Sequence, residues 1–389
     1  MKAAPWQLEL PPGHVAMTGL GMTSSLGLNV VAGCAAARAG VTRLSHLEIE
    51  ESDVKTLESV PLKGHTVRGF TDGFEGVGRL LRLADAALGD MLEYSRLKPE
   101  EAGRLGFFLC LPGELYARMR SESVRTLEGM TPTLAQALEE EDALERKQAR
   151  EAMERRLLPE LLTLHGLTVP PAARACFPGG AATFALALAR AADLLRTREL
   201  ERCVVGGVDS LVYGAALEDV YELGLVHTPE SAVGFFPGEA AAFVLLERAD
   251  AARAREARVE AWLGNVALEA EPFHRFSGEV PLGAALQRAA AACCNGQQVG
   301  LVVANLNGDE WRARDFGTAL LAMKEAGLPT EAPRWYPPAS FGEVGAATGA
   351  VSTCMLVRAF ARGHAGSPHA LVLLLADDET RSAYLLHAA

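Results

Sequence analysis

The chain has 389 residues, 49% of them hydrophobic and 22% charged, with 37 Lys and Arg against 49 Asp and Glu and a formal net charge of −12. So much apolar material excludes a disordered chain, and an acidic balance without a basic stripe excludes a nucleic-acid surface. No apolar run approaches the roughly 20 residues of a bilayer-spanning helix, and the longest, around Leu371 to Ala376, is strand-sized, so no membrane partner is expected.

From the N-terminus, Met1 to Pro12 lacks the basic flank and apolar centre of a secretory signal, so a soluble cytoplasmic protein is expected. His14 to Thr18 reads as a strand, followed by the turn Gly19-Leu-Gly21 and an Ala-rich helix from about Asn29. Leu105 to Glu114 is an apolar strand running into a Pro-Gly turn with a carboxylate. An insertion follows over about 115–167, containing Glu139-Glu-Glu-Asp142 and then dense Arg and Glu at i, i+4 spacing, which reads as an exposed helical arm. Gly179 to Leu195 is a helix of Ala, Gly and Leu, and Cys203-Val-Val-Gly-Gly207 is the strand after it.

The second half repeats this order. Val259 to Leu263 with Gly264 matches the first strand, and Leu301 to Asp309 matches Leu105 to Glu114. Trp311-Arg-Ala-Arg314 echoes Tyr116-Ala-Arg118. A second small-residue helix, Gly345 to Arg362, precedes the strand Leu371 to Ala376. A helix that is apolar or tiny on every face is buried all round, between two sheets rather than over one. The expected fold is therefore an α/β block of five layers, α-β-α-β-α, made of two pseudo-related halves, residues 1–250 and 251–389.

Seven cysteines lie at Cys34, Cys110, Cys176, Cys203, Cys293, Cys294 and Cys354, with no C-x-x-C pair, and the nine histidines are dispersed. This is the usage of reduced, buried thiols rather than of disulfides or zinc, and neither a metal nor a cofactor is expected. Cys176, in Arg174-Ala-Cys-Phe-Pro-Gly-Gly180, stands out because it precedes the first small-residue helix. A thiol at a helix entry feels the dipole and free N–H groups that favour thiolate, and Pro178 suits a first helical turn; the alternative is one more inert buried thiol. Glu343, in Phe341-Gly-Glu-Val-Gly345, holds the matching place before the second helix, where it either faces a shared cleft or complements the dipole. Asn307, in Leu306-Asn-Gly-Asp309, is either a third group facing that cleft or a plain Asn-Gly turn.

At these residues the sequence resembles the β-ketoacyl synthases of the thiolase superfamily. The likeness runs through Met17 to Gly27, Ala35 to Gly40, Ala175-Cys176, Val204 to Asp209, Gly234 to Ala241 and Gly342 to Val351, in order, and leaves out mainly the insertion. It implies a thiolase-like fold, Cys176 as acyl-accepting nucleophile, and an acyl carrier protein or acyl-CoA as partner in fatty acid or polyketide biosynthesis. It also implies a homodimer, or a heterodimer with a related subunit, joined through about Cys203 to Gly207. Phe177, Phe235 and Phe341 become candidates for the apolar, substrate-contacting wall of the cleft.

The departures from the family pattern are specific. Asn307-Gly-Asp309 stands where the family has His-Gly-Thr, Glu343 replaces the second histidine, Pro338 replaces a lysine, and Leu373 to Glu379 replaces a Gly-Phe-Gly-Gly loop. Losing one oxyanion donor costs ~2.7–4 kcal/mol, and an ionised Glu343 would repel a developing enolate, so decarboxylative condensation is not expected. Two readings remain. In the first, Cys176 takes an acyl group from a thioester, Glu343 acts as base for an acceptor and Asn307 orients the intermediate. In the second, the chain is a non-catalytic partner subunit or scaffold. The retained cysteine tips the expectation towards the enzyme.

Overall fold

The structure is a computed structural model that describes residues 15–52, 58–125 and 131–389. The reading of Met1 to Pro12 and the expected strand start at His14 lie outside these residues. The first half runs β1 (Val15–Ser24), α1 (Val30–Arg38), β2 (Ser45–Ser52), β3 (Ser59–Gly64), α2 (Gly76–Ser95), β4 (Leu105–Pro112), α3 (Leu115–Arg125), α4 (Pro132–Leu164), β5 (Arg174–Gly179), α5 (Thr183–Arg196), β6 (Arg202–Ser210), α6 (Gly214–Glu222) and β7 (Glu239–Arg248). The second runs α7 (Ala249–Ala254), β8 (Ala261–Ala270), α8 (Ala284–Cys294), β9 (Leu301–Ala304), α9 (Glu310–Glu325), β10 (Arg334–Trp335), α10 (Pro338–Phe341), α11 (Thr348–Ala361), β11 (His369–Leu375) and β12 (Thr380–Ala388).

Local chemistry sets the helix starts. Asn29 accepts the Ala32 N–H at 2.8 Å to open α1, and Asp309 accepts the Arg312 N–H at 2.8 Å to open α9. The central strands β4, β7 and β11 are nearly continuous apolar runs, as required of strands covered on both faces.

The repeat read from the sequence is carried by the sheet. In the first half the order is β5-β4-β6-β7-β1, with β4 parallel to β5 and β6, and β7 antiparallel to β6 and β1. In the second it is β10-β9-β11-β12-β8, with the same sequence of parallel and antiparallel pairings. The two sets join where Val15–Met17 of β1 pairs with Leu263–Ala261 of β8, so ten strands form one continuous sheet folded around its middle.

Between the two halves of that sheet lie α5 and α11, in an apolar core that takes Phe108, Val205 and Val244 from one half and Leu301, Val372 and Tyr384 from the other. Helices α2 and α4 cover the outer face of the first half, and α8 and α9 that of the second. The five layers are thus α2/α4, sheet, α5/α11, sheet, α8/α9. Helix α11 is buried almost along its whole length, and each of Val351, Leu356 and Val357 contributes about 1.5–3 kcal/mol by its burial. Gly207 makes this packing possible, since a Cβ there would stand 2.3 Å from the Ala346 carbonyl oxygen at the entry to α11.

Three expectations need correction. Helix α5 is not buried all round: Leu186 (45% exposed), Arg190, Asp193 and Arg196 form an exposed stripe, because α5 lies beneath the edge of the sheet and none of the described elements covers that side. The insertion is only partly an exposed arm: Leu157, Leu158, Leu161 and Leu162 of α4 are buried against α2. Finally, Cys203 to Gly207 lies in β6, which is hydrogen-bonded to β4 on one side and β7 on the other and has no edge to offer a second subunit. The strands at the two ends of the sheet are β5 and β10.

Candidate functional site

A cavity of about 680 Å³ opens where the turns before α5 and α11 face each other, walled by Gly180, Ala181, Asp209, Arg312, Glu343 and Asp377. Arg312 is its centre. Helix α9 begins two residues earlier, and its first turn holds the guanidinium at 2% exposure. Nη1 donates to Glu343 Oε2 at 2.5 Å and to the Asn305 carbonyl at 3.3 Å, while Nη2 donates to Asp377 Oδ1 at 3.1 Å. Burial opposes the Arg312 charge, but the carboxylates of Asp377 and Glu343 outweigh it and hold the group well above the ordinary guanidinium range.

Glu343 is saturated. Oε2 also accepts from Asn307 Nδ2 at 2.6 Å, and Oε1 accepts from the Gly345 N–H at 3.1 Å and the Thr348 hydroxyl at 3.5 Å. Asp377 accepts the Tyr116 hydroxyl at 2.5 Å and lies 3.8 Å from Arg275, which binds Asp309 with both terminal nitrogens at 2.5 Å. Burial would raise the Asp377 pKa, yet Arg312 and Arg275 keep it below the ordinary carboxylate value. Burial and then the Asp377 charge push Tyr116 well above the phenol range.

Asp209 differs from Glu343 and Asp377. Its oxygens accept the N–H groups of Ala346 and Ser210 at 2.8 Å, but no cation pairs with it among the described residues, and burial lifts its pKa to about 7 with help from the Glu343 charge. It is the carboxyl poised to exchange a proton near neutrality.

The structure therefore brings Asn307 and Glu343 into hydrogen-bond contact but does not bring Cys176 to them. Strand β5 continues through Gly179, and α5 starts only at Thr183, so Cys176 does not sit at a helix N-terminus. Along a strand successive side chains alternate: Phe177 packs into the inter-sheet core, edge-on to Phe108 at 5.5 Å, and Cys176 packs on the opposite side with the cluster under α2 and α4. Burial first, and then the charge of Glu154, pushes the Cys176 thiol up to about 12. Phe235 and Phe341 are each 1% exposed and belong to apolar clusters; neither they nor Phe177 line the cavity.

Arg312, Asp377, Asp209 and Tyr116 were not singled out from the sequence. The available signal was the pair Asp377-Asp378 directly after a fully apolar strand, and Arg312 within the repeated helix start.

Compared with solved structures, the chain has a TM-score of 0.71 at 16% identity to a ketosynthase described as part of "AntDE:AntF (apo): type II PKS acyl-carrier protein in complex with its ketosynthase bound to the hexaketide", covering 97% of this chain and 100% of that one. It is similarly related to the ishigamide ketosynthase/chain length factor (TM-score 0.71, 17% identity, 97% and 99% covered) and to the ketosynthase from module 6 of the bacillaene synthase from Bacillus subtilis 168 (0.70, 12%, 97% and 72%). No family model and no curated relative matches the sequence. The fold is the thiolase-like fold of the ketosynthases. Among the described residues no group of three His, Cys, Asp or Glu is placed to hold a metal ion, and no helix is long and apolar enough to cross a membrane.

Chemically, the cavity is built on the ion network of Arg312, Glu343 and Asp377, and no cysteine lines it. Four donors engage Glu343: Arg312, Asn307, the Gly345 N–H and the Thr348 hydroxyl. One hydrogen of the Asn307 amide is already spent on the same carboxylate.

Proposed function

We propose that this chain is a non-catalytic subunit of ketosynthase type that works in polyketide or fatty acid assembly by pairing with a related subunit. One observation carries the reading. Where α5 opens into the cavity, the wall is Gly179, Gly180 and Ala181, and Cys176 is not among the residues that line it. The Arg312–Glu343–Asp377 network supports the same reading, since it ties up Glu343 and engages the Asn307 amide. Two of the similar structures are described as a ketosynthase in complex with an acyl-carrier protein and as a ketosynthase/chain length factor, which supports a carrier-protein-dependent assembly and a heterodimer. Edge strand β5 and the exposed Leu186 beside it are the surface on which a partner would continue the sheet.

Acyl transfer through Cys176 is the competing reading, favoured by one fact: of the seven cysteines it alone is not fully buried. Intact-protein mass spectrometry after incubation with acyl-CoA and acyl-carrier thioesters separates the two. The expected result is an unmodified chain that gains a stable partner when co-expressed with a ketosynthase subunit. An acyl adduct mapped to Cys176, or carbon dioxide release from a malonyl thioester by the chain alone, overturns the non-catalytic reading.

A further inference from the structure

A second cavity, of about 830 Å³, lies on the far side of α11 from the site above, between α1, β10 and the last turns of α11. Its apolar walls are formed by Val31, Ala35, Met355 and Trp335, and four arginines face it: Arg38, Arg334, Arg358 and Arg362. In a chain of net charge −12, four guanidiniums on one cavity call for an explanation.

Arg358 is the informative one. It is 9% exposed, and its hydrogen-bond partner is the neutral hydroxyl of Tyr94, at 2.7 Å from Nη1, with the Tyr94 ring 5.6 Å from the guanidinium carbon. Arg334 bonds the Thr330 carbonyl, and none of the four is joined to a carboxylate by an ion pair among the described residues. Two carboxylates stand behind Arg358, neither in an ion pair with it: Asp90 feels its charge, and Glu260 acts on its partner Tyr94. Asp90 of α2 accepts the N–H groups of Met22 and Val30, and Glu260 pairs with Arg258 at 3.2 Å. A buried guanidinium with no direct ion pair gains when an anion enters its cavity and supplies one. The field is felt by His364, stacked on Trp335, whose pKa is lowered by burial and then by Arg38 and Arg358.

We propose that this second cavity binds an organic phosphate, its phosphate group held by Arg358 and the rim arginines and its body lying on Trp335, Met355 and Val31. A monocarboxylate would leave most of the positive charge uncompensated, whereas a phosphate dianion presents three oxygens to several guanidinium forks at once. The apolar walls exclude bare inorganic phosphate as the fitting ligand. The proposal is independent of what the first cavity does.

Isothermal titration of the full chain at low salt, with ADP, octyl phosphate, octanoate and inorganic phosphate as separate probes, tests it. ADP or octyl phosphate is expected to bind with a dissociation constant below about 100 µM, and octanoate at least about tenfold more weakly. ADP alone identifies a nucleotide as the source, and octyl phosphate alone a lipid-like phosphate. The exposed pair Arg38→Gln with Arg362→Gln is expected to weaken binding at least about tenfold without changing the melting temperature, and Arg358→Gln to weaken it further. The proposal is overturned if neither organic phosphate binds, if octanoate or inorganic phosphate binds as well, or if the exposed double variant binds like the wild type.

Discussion

Arg312 and Glu343 are paired at 2.5 Å, with each side chain 2% exposed, and they join the first turn of α9 to the entry of α11. Two halves of the sequence repeat are not involved equally: both residues belong to the second half, yet the cavity they shape is closed by Tyr116 and Asp209 from the first.

Removing one member of this pair strands the other. Arg312→Ala leaves Glu343 and Asp377 buried without their cation and is expected to cost about 3–5 kcal/mol of unfolding free energy. Urea denaturation monitored by circular dichroism checks this. A loss below about 1 kcal/mol would show that the network is not closed in solution.

The Asp209 carboxyl gives stability a definite pH dependence. Its pKa is raised from 3.8 in the unfolded chain to about 7 in the fold, so between those values the folded state holds a proton that the unfolded state has lost. Stability from this group is complete below 3.8, falls as pH rises, and is lost above about 7. The total is on the order of a few kcal/mol. Asp377, with a lowered pKa, acts in the opposite sense, and its contribution is lost only as the solution is acidified through and below 3.8. Urea midpoints at pH 5 and pH 8 are expected to differ in wild type and to converge in Asp209→Asn.

Cys176 should be a slow nucleophile. With its pKa pushed up to about 12, the alkylation rate is expected to keep rising well beyond pH 9, and at pH 7.5 Cys176 should react more slowly than a free thiol. Glu154→Gln removes the second cause of the shift and should speed the reaction. Time-resolved iodoacetamide labelling with peptide mapping reads both, and rapid labelling of Cys176 at neutral pH would contradict its placement on β5.

The α5 stripe and strand β5 predict an oligomer. Leu186→Glu places a charge in the middle of the surface offered to a partner and is expected to reduce assembly without unfolding the chain. Light scattering coupled to size exclusion distinguishes the states. Unchanged assembly in the variant would move the interface elsewhere, and β10 is the other sheet end to examine.

The halves were legible because their signal is local: small-residue helices and apolar strands recur in one order, and the sheet pairs them in that order. The place of Cys176 was not, and Pro178 shows why. A proline suits a first helical turn, but it equally suits an edge strand, where its missing N–H leaves no ladder bond unmade, and β5 is an edge. Read as the start of a helix, the segment aims Cys176 at the cleft; as a strand, it turns Cys176 outward and Phe177 inward. The partner of Glu343 was equally illegible, because Arg312 stands 31 residues away in the sequence. Nothing in the residues around either one announces the other.

The seam between the halves also governs how the molecule comes into being. All ten residues of β1 are buried, and the strand finds its partners far along the chain: the Thr18 hydroxyl bonds Glu247, 229 residues away. While the chain is being synthesised, this first apolar strand waits for β7 and β8 to emerge before it can be enclosed. Such distant closure is slow and leaves sticky surface open to wrong partners. High yields of soluble protein should therefore depend on chaperones or on slow expression, and a chain truncated before β7 should aggregate rather than fold as an isolated half.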